Sequence, residues 1–295
     1  MRILVLYGGE SDERAVSLRS GARVAAALQG AGHTVECADP CELTREALCR
    51  ACAAADAVFL ALHGGEGEDG RLQADLESAG VYHYTGSDAV ASACAMRKDE
   101  AKAIVAAAGV PVAKGVLLQG GQVSIPEYPV VLKPCAGGSS LGLHFLRNEA
   151  ELRMLLPLRE EMLCEEMLVG REYTVGVLRG APLPAVEIRP RGGVYDYAHK
   201  YEPEASLELC PAPISPAKAA LLRELTLRAY TALGLRDYAR LDFREDARGV
   251  PRFLEANTLP GMTATSLFPL AAQAVGISFG ELCEMMAALA AERKR

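Results

Sequence analysis

The segment RILVLYGGESDERAV constrains the fold more than any other stretch of the chain. Arg2–Tyr7 is a short, almost wholly apolar run, the pattern of a strand covered on both faces. Gly8 and Gly9 let the backbone turn sharply, and Ser11 is a candidate N-cap for a helix reaching about Gln29. Without any internal repeat of sequence, Ala57–Leu62 is a second apolar strand, followed by the loop HGGEGEDG and a helix near Leu72–Ser78. Strand and helix in alternation call for a parallel sheet in the first 85 or so residues.

The remainder reads differently. Ser87–Ala108 is helical with a break near Met96–Lys98. Val112–Leu118 and Pro129–Lys133 read as strands separated by the turn-rich linker GGQVSIPEY. The loop Cys135–Gly142, a strand and a helix at Glu149–Leu156 follow, and Glu165 lies at the end of the strand EMLCEE. Glu172–Leu178 and Leu183–Arg189 alternate as antiparallel strands do. Gly192–Pro211 reads as long and irregular, the kind of loop that is usually functional or mobile. An amphipathic helix over Pro216–Leu233, strands at Tyr238–Arg244 and Arg252–Asn257, and two closing helices complete the chain.

Bulk properties exclude several classes. The 295 residues allow two or three compact units. A formal net charge of -7 gives no basic footprint for nucleic acid. No run of about 18 apolar residues occurs, and the first residues lack the form of a signal peptide, so neither a membrane partner nor export is expected and the location is cytoplasmic. The nine cysteines are then read as reduced thiols. Cys49 and Cys52 form a lone CxxC on a helical stretch with no second pair at zinc spacing, so they read as two cysteines on one helix turn.

The chemistry concentrates on the last two strands. Residues i and i+2 of a strand share a face, which groups Arg240 with Asp242 in ARLDF and Glu255 with Asn257 in FLEAN. A short Asp-, Arg- and Gly-containing turn lets the strands pair as a hairpin. Two carboxylates and an amide oxygen are hard ligands suited to Mg²⁺ or Mn²⁺, which also draw ligands from phosphates. Leu241, Phe253 and Leu254 read as the buried, opposite face. The bland alternative is a salt-bridge patch on an edge hairpin.

A second element is KPCAGGSSLGL. Lys133 closes an apolar strand, Gly137, Gly138 and Gly142 free backbone N–H groups to approach anionic oxygens, and Ser139 and Ser140 add hydroxyls. A lid over triphosphate competes here with an ordinary Gly/Ser hairpin loop; no Gly-Lys-Ser/Thr ends it, so it is not a Walker A loop. Glu13 either favours a helix dipole or binds a substrate ammonium. His63 ends a strand where α/β sheets place ligands, with a structural histidine as the alternative.

These segments carry a family resemblance. GGESDERAVSLRSG, ALHGGEGEDGRLQ, VLKPCAGGSSLGL, YDYAHKY, RLDF and LEANTLPGMTATSLFP resemble, in order, the motifs of the D-alanine–D-alanine ligases of the ATP-grasp type, and they span nearly the whole chain. The resemblance implies an α/β fold, α+β overall: an N-terminal parallel α/β domain over residues 1–86, then a two-domain ATP-grasp fold over 87–168 and 169–295. It implies ligation of two D-alanines with ATP through an acylphosphate, for peptidoglycan precursors. Lys98 and Lys133 would contact phosphates, and Glu165, Leu168 and Glu172 adenine and ribose. Asp242, Glu255 and Asn257 would hold two Mg²⁺ or Mn²⁺ ions. Glu13, with His63 nearby, would take the first D-alanine. Arg240 and the Gly261 N–H would meet the oxyanion, and Ser266 with the Leu267 N–H the second carboxylate. Lys200 and Tyr201 would lie in a closing loop, with Tyr201 reaching Glu13 and Ser139 and setting the acceptor.

Three positions depart from the pattern: Gly137 where some relatives carry a charged residue, Met167 where some carry an aromatic, and His199 in place of a smaller residue. Rival readings are a ligase with D-lactate or D-serine as acceptor and a nucleotide-binding protein without turnover. A homodimer is left open.

Overall fold

The computed structural model describes residues 1–120, 127–138, 142–190 and 206–294. The opening strand β1 (Arg2–Leu6) leads through α1 (Arg14–Gly30), β2 (Thr34–Ala38), α2 (Arg45–Ala54), β3 (Ala57–Leu60) and α3 (Arg71–Ser78). The strands form a parallel sheet in the order β2-β1-β3. The expected parallel α/β unit is therefore present, with β2 added; its sequence TVECA is half-exposed and gave no buried-strand signal.

The helix cap is a correction. The N-cap residue of α1 is Glu13, without a side-chain cap bond. The Ser11 hydroxyl instead accepts from the Glu13 N–H at 3.2 Å and donates to the His63 carbonyl, pinning the turn after β1 to the loop that follows β3. Gly8 and Gly9 both have positive φ, and a Cβ on Gly8 would fall into the Asp39 carboxylate. No other residue fits there without displacing Asp39.

The helical stretch breaks where expected, into α4 (Ala89–Met96) and α5 (Lys98–Ala107), with extended Arg97 between them. A four-stranded antiparallel sheet follows. It contains β4 (Gly115–Leu118), β5 (Val130–Pro134), β6 (His144–Leu146) and, after α6 (Glu149–Arg153), β7 (Met162–Glu166), in the order β4-β7-β5-β6. The strand expected from Val112 starts at Gly115; Val112 makes an isolated parallel bridge to Phe253.

The third sheet is built from β8 (Glu172–Leu178), β9 (Ala181–Pro182), β10 (Val186–Pro190) and β11 (Ser206–Leu209). After α7 (Pro216–Ala232) it gains β12 (Tyr238–Glu245) and β13 (Pro251–Asn257). The path is β11-β10-β8-β12-β13, antiparallel, with β9 beside β8. Two expectations change here. The strand expected over Leu183–Arg189 begins at Val186, and the end of the supposedly irregular Gly192–Pro211 stretch is β11, whose Ser206–Leu209 backbone pairs with β10. The helices α8 (Leu267–Gln273) and α9 (Phe279–Ala291) close the chain.

Packing explains where the site lies. One core joins the first sheet to the end of the chain: Val5, Val58 and Phe59 pack with Leu282, Met286 and Ala290 of α9. A second covers one face of the large sheet with α4, α5 and α7, burying Leu241, Phe243 and Phe253. A third lies between the four-stranded sheet and α6, around Leu132, Leu152 and Cys164. Strand alternation then turns the remaining faces of both antiparallel sheets toward a shared cavity, with Lys133 and Glu165 on one side and Glu172, Asp242 and Arg244 on the other.

Candidate active site

The β12–β13 hairpin forms as the strand parity requires. Arg240 lies opposite Asn257, and Asp242 opposite Glu255. The register slips between Asp242 and Phe243, so Leu254 is an extra residue on β13. That bulge reconciles two demands that plain alternation cannot meet: Phe253 points into the core while both Leu254 and Glu255 line the cavity. Leu254, expected on the buried face, is thereby corrected to a cavity wall.

Within the hairpin the Arg240 guanidinium forks the Asp242 carboxylate, Nε to Oδ1 at 3.0 Å and Nη2 to Oδ2 at 2.9 Å. The Asn257 amide donates to the same carboxylate at 3.3 Å, and Lys98 Nζ stands 3.5 Å from Glu255. Burial works against the Arg240 charge, but Asp242, with Glu255 and Glu68 beyond it, more than offsets this and raises its pKa. Among the described residues no three His, Cys, Asp or Glu side chains are grouped to hold a metal alone. Two carboxylates and an amide oxygen on one face fit a divalent ion that completes its shell from phosphate oxygens.

Deeper between the sheets, Glu165 is buried between two ammonium groups, Lys102 at 2.5 Å and Lys133 at 2.6 Å. Burial would raise its pKa; Lys133 and Lys102 outweigh this and hold it below the usual carboxylate value. Lys102 pays the complementary penalty, since burial and then Lys133 push it down to about 8. Lys102 Nζ also donates to the Phe253 carbonyl at 3.1 Å, which ties α5 to the hairpin strand. Leu168 and Leu254 supply apolar wall, and Glu172 faces Arg244 across the β8–β12 ladder. Lys98 is the first residue of α5; its N–H donates to the Cys135 carbonyl at 2.8 Å and its Nζ to the Gly137 carbonyl, so the glycine loop is held on both ends of the residue.

The first sheet contributes the other wall. Gly64 and Gly138 both abut the Glu13 carboxylate: an added Cβ would lie 2.9 Å and 3.2 Å, respectively, from Glu13 Oε2. Glu13 is thereby wedged between the turn after β3 and the glycine loop of the four-stranded sheet. His63 is buried and engaged at both ring nitrogens. Its Nδ1 lies 3.1 Å from the Leu259 carbonyl, which can only accept, so Nδ1 donates; Nε2 lies 3.0 Å from Ser20 Oγ. Burial lowers its pKa, in keeping with a neutral ring. Ser20 Oγ also accepts from the Met262 N–H at 3.3 Å, and Arg23 donates to the Met262 and Thr263 carbonyls at 3.1 and 2.7 Å. This network fastens the loop after β13 to α1.

That loop presents Gly261, Ser266 and Leu267. A Cβ on Gly261 would lie 2.7 Å from Ser266 Oγ. Ser266 Oγ accepts from the Thr263 N–H at 3.0 Å and stands at the N-cap of α8, which Leu267 opens. Ser139, His199, Lys200 and Tyr201 lie outside the described residues.

Three charged residues near the cavity escaped the sequence reading. Lys102 lies one helical turn beyond Lys98, and Arg244 continues the alternation of Arg240 and Asp242, so both had a periodic signal. Glu68 sits inside the HGGEGEDG loop, where only the fold shows that it senses Glu13, Arg240 and Glu255 at once.

The family model described as D-ala D-ala ligase C-terminus matches residues 117–288. The D-alanine–D-alanine ligase of Oleidesulfovibrio alaskensis is 46% identical over 291 residues, covering 96% of this chain and 94% of that protein. The crystal structure of the Bacillus anthracis D-alanine–D-alanine ligase complexed with ATP superposes with a TM-score of 0.85 at 29% identity, over 100% of this chain and 98% of that one. The Enterococcus faecalis VanG D-Ala:D-Ser ligase gives 0.84 at 26% identity, over 98% and 99%.

Proposed function

The chain belongs to the D-alanine–D-alanine ligase family, and we propose that it joins two D-alanines at the expense of ATP, giving D-alanyl-D-alanine, ADP and phosphate. The observation that carries the reading is the single face shared by Arg240, Asp242, Glu255 and Asn257, opening on a cavity between two antiparallel sheets.

A carboxylate is a poor electrophile, so the first D-alanine must be activated. Its carboxylate attacks the γ-phosphate, and the acylphosphate formed carries a good leaving group. Lys98 and Lys133 hold the phosphates, while Glu165, Leu168 and Glu172 hold adenine and ribose. Asp242, Glu255 and Asn257 would hold two divalent ions, Mg²⁺ or Mn²⁺, whose contribution is to neutralise charge on the phosphates. Glu13 takes the ammonium of the first D-alanine, with His63 behind it keeping the loops in register.

The amine of the second D-alanine then attacks the acyl carbon. Ser266 and the N–H of Leu267 at the start of α8 receive its carboxylate, orienting the amine. The tetrahedral oxyanion forms against Arg240 and the Gly261 N–H, fixed donors that need no reorganisation. Arg240 is already held by Asp242, which favours such preorganisation. Ser139, Lys200 and Tyr201 belong to the same reading from sequence, as parts that close over the site.

On this reading residues 1–86, 87–168 and 169–295 are the three functional domains. The product serves peptidoglycan precursor synthesis in the cytosol; no helix among the described residues is long and apolar enough to cross a membrane. The test is phosphate release with ATP, Mg²⁺ and D-alanine, D-serine or D-lactate, alone and in pairs, with products weighed by mass spectrometry. D-Alanyl-D-alanine as the main product supports the reading. Preference for D-serine or D-lactate would reassign the acceptor, and ATP binding without any product would leave a nucleotide-binding protein.

A further inference from the structure

Strand β12 carries three charged side chains at successive same-face positions, Arg240, Asp242 and Arg244; the last two line the cavity, and Arg240 is bonded to Asp242 beside it. The first two belong to the phosphate end. Arg244 lies about 7 Å beyond Asp242 and about 13 Å beyond Arg240 along the strand, at roughly 3.3 Å per residue. It is 7% exposed and lines the cavity together with Glu172, Leu168 and Leu254. The β8–β12 register sets Arg244 directly opposite Glu172, and Nη1 reaches Glu172 Oε2 at 3.2 Å. Cross-strand partners in an antiparallel ladder share a face, so both point into the nucleotide cavity.

A guanidinium buried this deeply is costly to keep charged, and burial indeed lowers the Arg244 pKa against the pull of Glu172. An apolar pair would pack the same wall without that penalty. A charge pair at this place therefore has a use beyond holding the sheet together. We propose that Arg244 is a positioning residue for the nucleotide: it fixes the Glu172 carboxylate so that its acceptor sites meet the ribose hydroxyls. Each carboxylate oxygen accepts more than one bond, so a bond from Arg244 leaves capacity for a vicinal diol. A carboxylate offers acceptors, and the two ribose hydroxyls offer donors to match them. Two arginines of β12 are thus each paired with a carboxylate: Arg240 with Asp242 on the same strand, toward the phosphate end, and Arg244 with Glu172 on the neighbouring β8, toward the sugar end.

The inference rests on the nucleotide reading of this cavity, and its test separates the two. Mg²⁺·ADP affinity is measured by calorimetry, and ATP KM and kcat by phosphate release, for wild type, Arg244→Met, Glu172→Gln and the double variant. Arg244→Met is expected to weaken ADP binding and raise the ATP KM by about tenfold, the scale of one charge-assisted hydrogen bond, with kcat within about twofold. The double variant, which leaves no buried charge unpaired, is expected to be no worse than the poorer single variant. It keeps the test available where Arg244→Met alone folds badly. Arg244→Lys should recover part of the loss. With 2′,3′-dideoxy-ADP, which lacks both hydroxyls, wild type and Arg244→Met should bind alike. The inference is overturned by additive single effects, by a fall in kcat with KM unmoved, or by an equal loss with the dideoxy nucleotide. Nucleotide binding with these signatures but no dipeptide product would overturn the ligase reading and leave the role of Arg244 standing.

Discussion

Glu68 offers the sharpest quantitative test of the site as folded. It lies in the loop between β3 and α3, half-buried, with Oε2 accepting from the Gly64 N–H at 2.8 Å. Burial is the main cause that raises its pKa, from 4.5 to about 7; Glu13 and Glu255 push the same way, while the Gly64 N–H and Arg240 oppose them. The folded state therefore favours the neutral acid. The resulting penalty on stability is absent well below the unfolded-state value, grows as pH rises, and is complete above about 7. At 1.36 kcal/mol per pH unit, the span from 4.5 to about 7 sets a ceiling of about 3 kcal/mol, and solvent relaxation around a half-buried group reduces this to about 1–2 kcal/mol. Glu68→Gln is neutral at every pH and keeps an oxygen for Gly64. It should melt close to wild type near pH 5 and above it near pH 8, by about 2–5 °C for a chain of this size. The assay is thermal unfolding of the ligand-free protein at both pH values. An equal shift at both, or none near pH 8, would show that the carboxylate is not desolvated among its neighbours, and the packing of the first sheet against the hairpin would need redrawing.

Other outcomes follow from the same geometry. Glu255→Gln removes a charge with little volume change and should abolish turnover while the melting temperature holds; near-normal phosphate release at saturating Mg²⁺ would remove Glu255 from the metal set. Arg240→Lys keeps the charge but loses the fork on Asp242, and kcat should fall on the order of a hundredfold with ADP affinity largely retained. If affinity alone changed, Arg240 would be a phosphate or framework residue. Gly64→Ala places a Cβ 2.9 Å from Glu13 Oε2 at a φ of +65°, and should raise the KM for D-alanine far more than that for ATP. The reverse pattern, read from paired saturation curves, would detach Glu13 from the amino-acid site.

Much of this architecture was legible because it depends on short-range periodicity. The two buried runs β1 and β3 and the helical break at Arg97 follow from spacing that holds wherever the segment ends up. The shared face of Arg240 with Asp242, and of Glu255 with Asn257, needed only strand parity and a hairpin turn. Strand β2 escaped because an edge strand, half-wet on both faces, has no apolar alternation to read. Strand β11 escaped for the same reason: its Ser206, Leu207 and Glu208 are exposed, and pairing with β10 gives it form.

The site was less legible where its physics is non-local. Parity predicts that Phe253 and Glu255 face the same way, and only the bulge at Leu254 separates them, so the apolar wall of the cavity was assigned to the core. Glu165 reads as one acidic residue among several in EMLCEE. Its special environment comes from Lys102, 63 positions earlier, whose side chain reaches it from α5, and Lys133, 32 positions earlier, brought beside it when β5 pairs with β7. The same holds for Glu172, whose partner Arg244 lies 72 positions on. These charges are visible in the sequence, but burial gives each a cost that only its particular partner offsets. Removing one member should therefore be worse than removing both, and that asymmetry separates a built charge pair from two charged residues that happen to be near each other.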